Sequence, residues 1–268
     1  MNLKANLDII RHDKPLIHCI TNHISINDCA NAVLASGAKP IMAEHPKEVA
    51  EITKMSEALA VNLGNISDSR MKSIMISGEI AKEYKIPSVI DVVGVACSKL
   101  RLDFAREYID KYNPSVIKGN EAEIRALCGF DFCTKGVDSQ SESSDNELTF
   151  LCQKASEMFC STVLISGKTD CVSDGNKTAL VKNGSYLMPY VTGTGCIMNV
   201  ICAVLLSKNE PFASAVNSAV LMGLAGEKAE EKFNKENSIT FFHNSIIDAL
   251  FLMSNDEILE KGRVEIYE

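Results

Sequence analysis

The chain lacks an excess of positive charge. Of its 268 residues, 35 are acidic and 27 are lysine or arginine, giving a formal charge of −8, and the pI is near 5.3. That balance excludes a nucleic-acid partner, which requires a basic face. Long apolar runs are missing too: none reaches the roughly 18 residues that span a bilayer, so no membrane partner is expected. Lys4, Asp8, Arg11, Asp13 and Lys14 keep the amino-terminal stretch too charged for a secretory signal, and the expected compartment is the cytoplasm.

Metal-ligand spacings are absent. The ten cysteines (19, 29, 97, 128, 133, 152, 160, 171, 196, 202) contain no Cys-x-x-Cys pair, and the five histidines no His-x-x-x-His pair. A disulfide framework and a zinc site are therefore excluded, and all these thiols except Cys196 are expected to be small buried hydrophobes. Two nucleotide signatures fail as well. Gly167-Lys168-Thr169 resembles the end of a P-loop, but the required earlier glycine is Thr162 and the following residues read as a strand. After Gly193-Thr194-Gly195 the third glycine of a dinucleotide fingerprint would be residue 198, which is Met198.

What is present is a core and an alternation. Hydrophobic residues make up 46% of the chain and the mean hydropathy is +0.03, enough to bury a sizeable interior. Short apolar runs at 39–43, 58–62, 87–91, 115–118 and 162–166 read as strands. Amphipathic stretches at 25–37, 46–57, 67–85, 101–112 and 120–128 read as helices. Repeated β-then-α with nearly continuous apolar strands predicts an α/β fold whose mostly parallel central sheet is covered on both faces. Residues 170–174 and 178–181 read as a hairpin, 138–147 as a polar, mobile solvent loop, 213–232 and 245–252 as helices, and 263–267 as a returning edge strand. There is no internal repeat and no second core, so residues 1–268 read as one domain.

The chain is organised around Val191-Thr192-Gly193-Thr194-Gly195-Cys196, followed by the apolar run from Ile197 to Leu206, in which Asn199 is the only strongly polar residue. A glycine turn feeding a helix gathers unpaired N–H groups and the positive end of a dipole at one point, which suits phosphate. Alternatively, the turn serves only close packing. Elsewhere, strands end in Met42, in Asn62 with Gly64, in Asp91, in Lys118 with Asn120, and in Ser166. Asn120-Glu121-Ala122-Glu123 opens a helix: Glu123 either completes a capping box or aims a carboxylate through water at Mg²⁺, with Asp91 as a second acid. Thr21, Asn22, Asn27 and Asn31 place neutral polar groups in an apolar segment, and each needs a protein or ligand partner.

These residues match a known family. His18-Cys-Ile-Thr-Asn22, Asn27-Asp-Cys-Ala-Asn31, Gly37-Ala-Lys-Pro-Ile-Met42, Asn62-Leu-Gly64, Lys118-Gly-Asn-Glu-Ala-Glu123 and Val191-Thr-Gly-Thr-Gly-Cys196 together resemble the hydroxyethylthiazole kinases of the ribokinase-like superfamily. The resemblance covers nearly the whole chain, in order. It implies a three-layer α/β/α subunit, ATP and Mg²⁺, transfer of phosphate to the hydroxyl of 4-methyl-5-(2-hydroxyethyl)thiazole in thiamine biosynthesis or salvage, and a homotrimer with active sites at subunit interfaces. By the same resemblance Met42, Gly193, Asn22 and Gly64 would line the thiazole pocket, and Lys118 and Ser166 would hold ATP phosphates. Asn120, Glu123 and Asp91 would organise magnesium, and Gly193, Thr194, Gly195 and Cys196 would form the anion hole beside the substrate hydroxyl. Four positions depart from the family pattern: Lys118 stands for arginine, Ser166 for threonine, Val92 for proline and Lys168 for an acid. A related kinase for hydroxymethylpyrimidine or a pyridoxal-type alcohol, and a catalytically silent binding protein, are the alternative readings.

Overall fold

The computed structural model describes residues 5–130 and 144–268. Its strands are β1 (Leu16–Ile20), β2 (Lys39–Ile41), β3 (Ala58–Asn62), β4 (Ser88–Asp91), β5 (Val116–Asn120), β6 (Thr162–Ser166), β7 (Asp170–Ser173), β8 (Thr178–Val181) and β9 (Val264–Tyr267). They form one sheet in the order β2-β1-β3-β4-β5-β6-β7-β8-β9. Neighbours from β2 to β6 are parallel, and β7, β8 and β9 are added antiparallel.

Helices cover both faces. One face carries α1 (Leu7–Asp13), α2 (Ile26–Ala35), α8 (Thr194–Leu206), α9 (Pro211–Glu236), α10 (Ile239–Leu252) and α11 (Asn255–Lys261). The other carries α3 (Val49–Met55), α4 (Asp68–Tyr84), α5 (Lys99–Tyr112), α6 (Glu121–Cys128) and α7 (Asp145–Phe159). Strand residues alternate between the two: Ala58 and Ala60 face the α8 side, Leu59 and Val61 the opposite side. The alanines leave room for α8, whose residues from Ile197 to Leu206 are all buried. Its one polar residue there, Asn199, donates to Val61 O at 3.0 Å, while its Oδ1 is buried without a partner.

The expected strands and helices form, and the seven-residue helices α1 and α11 are added to them; other differences follow. β1 was not anticipated: its five residues include His18, and a polar residue in so short a run hides strand character. His18 is nonetheless buried with both ring nitrogens bonded, to Thr53 Oγ1 and Ala43 O at 2.9 Å, and burial pushes it down to about 4. The strand expected over 39–43 ends at Ile41. The terminal helices are longer than expected, because α9 runs from Pro211 and α10 from Ile239. Of the expected 138–147 loop, 138–143 lie outside the described residues, whereas Ser144 and Glu147 form a reciprocal capping box that opens α7. Finally, Cys97 and Cys160 are exposed; Cys19, Cys29, Cys152, Cys171 and Cys202 are buried.

Candidate active site

Register builds the site. Asn62, Asp91 and Lys118 are paired positions on β3, β4 and β5, and all three point to the α8 face because their neighbours Val61, Ile90 and Ile117 point away. The first turn of α8 sits above this polar row. Gly193 caps the helix with φ 91°, a conformation that an L side chain adopts only under strain, and a Cβ there would lie 3.1 Å from Ser25 Cβ. Its carbonyl accepts from Ile197 N–H at 2.8 Å. The amides of Thr194, Gly195 and Cys196 make no hydrogen bond among the described residues. Three free donors therefore sit at the positive end of a helix of 13 residues.

Two cavities meet at this turn, sharing Ser166 and Gly195 in their walls. The smaller, about 420 Å³, is lined by Asn22, Gly64, Asp91, Lys118, Glu123 and Cys196 among others. The larger, about 870 Å³, runs past the 166–170 turn to Tyr186, Met188, Pro189 and Met198. A smaller chamber walled by charged and carboxamide side chains thus opens beside a larger, mostly apolar one.

Lys118 Nζ lies 2.9 Å from Asp91 Oδ2, with both side chains buried. Burial opposes the lysine's charge, but the Asp91 carboxylate outweighs it and holds the ammonium above the usual lysine range. A Cβ on Gly195 would be 3.5 Å from that nitrogen, so the cation borders the amide cradle. Val92 donates its N–H to Lys118 O at 2.8 Å and so adds a rung between the strands that carry this pair.

Cys196 Sγ accepts from two carboxamides, Asn22 Nδ2 at 3.0 Å and Asn62 Nδ2 at 3.5 Å. Each amide is fixed from behind. Asn22 Oδ1 accepts from the Ile24 and Ser25 amides and from Ser25 Oγ, and Asn62 Oδ1 accepts from Gly64 N–H at 2.8 Å. Ser166, paired with Asn120 across β5 and β6, donates to Gly119 O at 3.5 Å.

The capping reading of Glu123 is correct. Asn120 Oδ1 accepts from Glu123 N–H, Glu123 Oε2 accepts from Asn120 N–H at 2.8 Å, and Oε1 accepts from Gly94 N–H at 2.8 Å. Burial pushes this carboxyl up, against the pull of the two amides. Among the described residues no group of three or more histidines, cysteines or acids could enclose a metal ion. Asp91 and Glu123 nevertheless share the smaller cavity, and each carboxylate oxygen keeps a free lone pair. This donor set fits Mg²⁺ held through its waters and a substrate's phosphates; it does not fit a closed protein cage.

Of the residues singled out by sequence, Asn22, Gly64, Asp91, Lys118, Asn120, Glu123, Ser166, Gly193, Gly195 and Cys196 converge on the smaller cavity, and Thr194 lines the larger. Met42 does not converge: it lies just past the edge strand β2, partly buried against the core, outside both cavities. Two residues were missed. Asp170 lines the larger cavity, accepts from Gly167 N–H at 2.9 Å, and is pushed up to about 7 by burial. Arg70 is only 2% exposed and grips the ends of β1 and β3. Neither carries a sequence signal, because an acid opening a hairpin and an arginine in a polar helix both read as solvated.

Known proteins resemble this chain in sequence and in fold. Residues 7–256 match the hydroxyethylthiazole kinase family. A Clostridium botulinum protein named hydroxyethylthiazole kinase 2 is 45% identical over 263 residues, covering 96% of this chain and 98% of its own. The structure of a hydroxyethylthiazole kinase protein from Pyrococcus horikoshii superposes with a TM-score of 0.88 at 32% identity, over 99% of both chains. A Staphylococcus aureus pyridoxal kinase in complex with ADP shares the fold alone, with a TM-score of 0.64 at 14% identity over 80% of this chain and 88% of its own. Family match, full-length identity and superposition agree, and the chain belongs to the hydroxyethylthiazole kinase family.

Proposed function

We propose that this chain, as one domain, transfers the terminal phosphate of ATP to the hydroxyl of 4-methyl-5-(2-hydroxyethyl)thiazole, a cytoplasmic step in thiamine biosynthesis or salvage. The observation that carries the reading is the set of free Thr194, Gly195 and Cys196 amides, aimed where the two cavities meet, with Lys118 Nζ beside them.

The chemistry follows from that arrangement. Phosphoryl transfer passes through a loose transition state, so alignment and charge stabilisation supply most of the rate. The larger cavity takes the nucleotide, with Ser166 and Lys118 on its phosphates. The smaller cavity takes the thiazole, with its hydroxyl at Cys196. The α8 amides donate to the equatorial oxygens, where charge develops, and need no reorganisation to do so. Cys196 orients the alcohol and accepts its proton late and weakly. Asp91, Asn120 and Glu123 would hold Mg²⁺ through water, and bound magnesium would offset the phosphate charge.

A homotrimer accords with the rim of the smaller cavity. Ile24 there is 67% exposed, and Met42 stands outside the cavity at the sheet edge. A neighbouring copy would cover the first and bring a Met42 against the thiazole. Light scattering on the purified protein tests this.

The decisive experiment is a coupled ADP-release assay with the thiazole alcohol and Mg-ATP, run beside pyridoxal and hydroxymethylpyrimidine. Turnover with the thiazole alone supports the proposal. Turnover with another alcohol instead, or binding without ADP release, replaces it.

A further inference from the structure

Arg70 carries a buried charge that the proposed chemistry does not use. Its side chain is 2% exposed, and burial pulls the guanidinium below its ordinary range. Among the described residues the only acid paired with it is the partly exposed Glu44, whose Oε2 lies 3.3 Å from Nε without hydrogen-bond alignment. The terminal nitrogens donate instead to four main-chain carbonyls: Nη1 to Gly64 O at 2.6 Å and Asn65 O at 2.8 Å, Nη2 to Thr21 O at 2.6 Å and Asn62 O at 3.3 Å. All four Nη hydrogens are thereby used.

These carbonyls bracket the two amides on Cys196. Thr21 precedes Asn22, and Asn62 is itself the second amide. Gly64 is wedged between them: a Cβ there would lie 2.9 Å from both Asn22 Cβ and Asn62 Oδ1. The carbonyls lie at and just beyond the carboxyl ends of β1 and β3, where the ladder leaves acceptors without a strand partner. Only a planar fork reaches four acceptors on two separate chain passes at once; a lysine ammonium, with three donors from one atom, cannot.

We infer that Arg70 is a positioning residue for phosphoryl transfer: it ties the ends of β1 and β3 so that Asn22 and Asn62 both keep an N–H on the Cys196 sulfur. The inference rests on the smaller cavity being the acceptor site. It assigns Arg70 no contact with substrate. A purely structural arginine would affect stability, leaving the environment of the Cys196 sulfur alone in any variant that still folds.

The test uses the full chain with Arg70→Lys, after melting and circular dichroism establish that it folds. Steady-state rates are measured with the thiazole alcohol and Mg-ATP. Alkylation of Cys196 by iodoacetamide is followed by peptide mass spectrometry, with exposed Cys97 and Cys160 as internal references. The expected result is a kcat lower by about tenfold or more with the ATP KM within about twofold, since small misplacements cost rate before binding. Cys196 alkylation should change by about threefold or more while both references stay constant. Wild-type kcat and wild-type Cys196 reactivity in the folded variant overturn the inference.

Should Arg70→Lys not fold, Asn62→Asp decides, because it keeps the acceptor for Gly64 N–H and removes the donor to sulfur. It should show the same loss and the same altered reactivity, and wild-type values there overturn the clamp. Where Arg70→Lys folds, the double variant should lose less kcat than the product of the two single losses; fully additive losses mean that Arg70 does not act through Asn62. If the wild type itself turns over no thiazole alcohol, the kinase reading fails, and the alkylation comparison still decides the positioning role.

Discussion

Lys118 and Asp91 form a buried ion pair, Nζ to Oδ2 at 2.9 Å, on adjacent strands and in register beneath the first turn of α8. A pair so enclosed does little for net stability, since desolving two charges offsets most of their attraction, but removing one partner strands the other. Lys118→Met should therefore lose about 3 kcal/mol of stability as well as activity. Adding Asp91→Asn should recover most of the stability and none of the turnover. Denaturant melts and ADP release on the two variants and the wild type check this, and recovered activity in the double variant rules out a phosphate-binding role for Lys118.

Gly193→Val places a β-branched residue at φ 91° with its Cβ near Ser25. We expect kcat to fall by about 10² or more as the amide cradle is displaced, with a smaller effect on the ATP KM. Near-normal turnover refutes the cradle.

Cys196→Ser keeps an acceptor for Asn22 and Asn62 and should lose less than about tenfold in kcat, because the alcohol gives up its proton late. Cys196→Asp supplies an acceptor that is already ionised at neutral pH, and it should remain active. Complete loss in both folded variants contradicts an orienting role for the thiol.

Glu123→Gln removes one of two carboxylate acceptors from a capping box that also faces the cavity. The Mg²⁺ concentration giving half-maximal rate should rise severalfold, at a stability loss of about 1 kcal/mol. An unchanged magnesium dependence leaves Glu123 with capping alone.

Asp170 is pushed up by burial from 3.8 to about 7, so the folded state binds its proton more tightly than the unfolded state. Its ionisation therefore removes stability as pH rises from about 4 to about 7. His18, pushed down from 6.5 to about 4, acts with the opposite sign: its stabilisation is present above 6.5 and is lost as pH falls toward 4. Asp170→Asn keeps the acceptor for Gly167 N–H, so it should match the wild type near pH 4 and gain up to about 4 kcal/mol by pH 8. Melting temperatures across that range measure the gain, and parallel curves for the two proteins refute it.

The sequence by itself determined the layered α/β order, the glycine turn into α8, and which residue types end each strand, because periodicity and turn chemistry are local. It did not reveal β1, whose apolar character His18 interrupts. It also assigned Met42 to the pocket, whereas within one chain this residue stands at the sheet edge. Only the tertiary structure decided that Asn62, Asp91 and Lys118 form one row, since register depends on how separate strands pair. It likewise decided that Arg70 is buried and that Asn22 meets Cys196 across 174 positions of chain. These contacts join segments distant in sequence, and only packing around a common core brings such segments together.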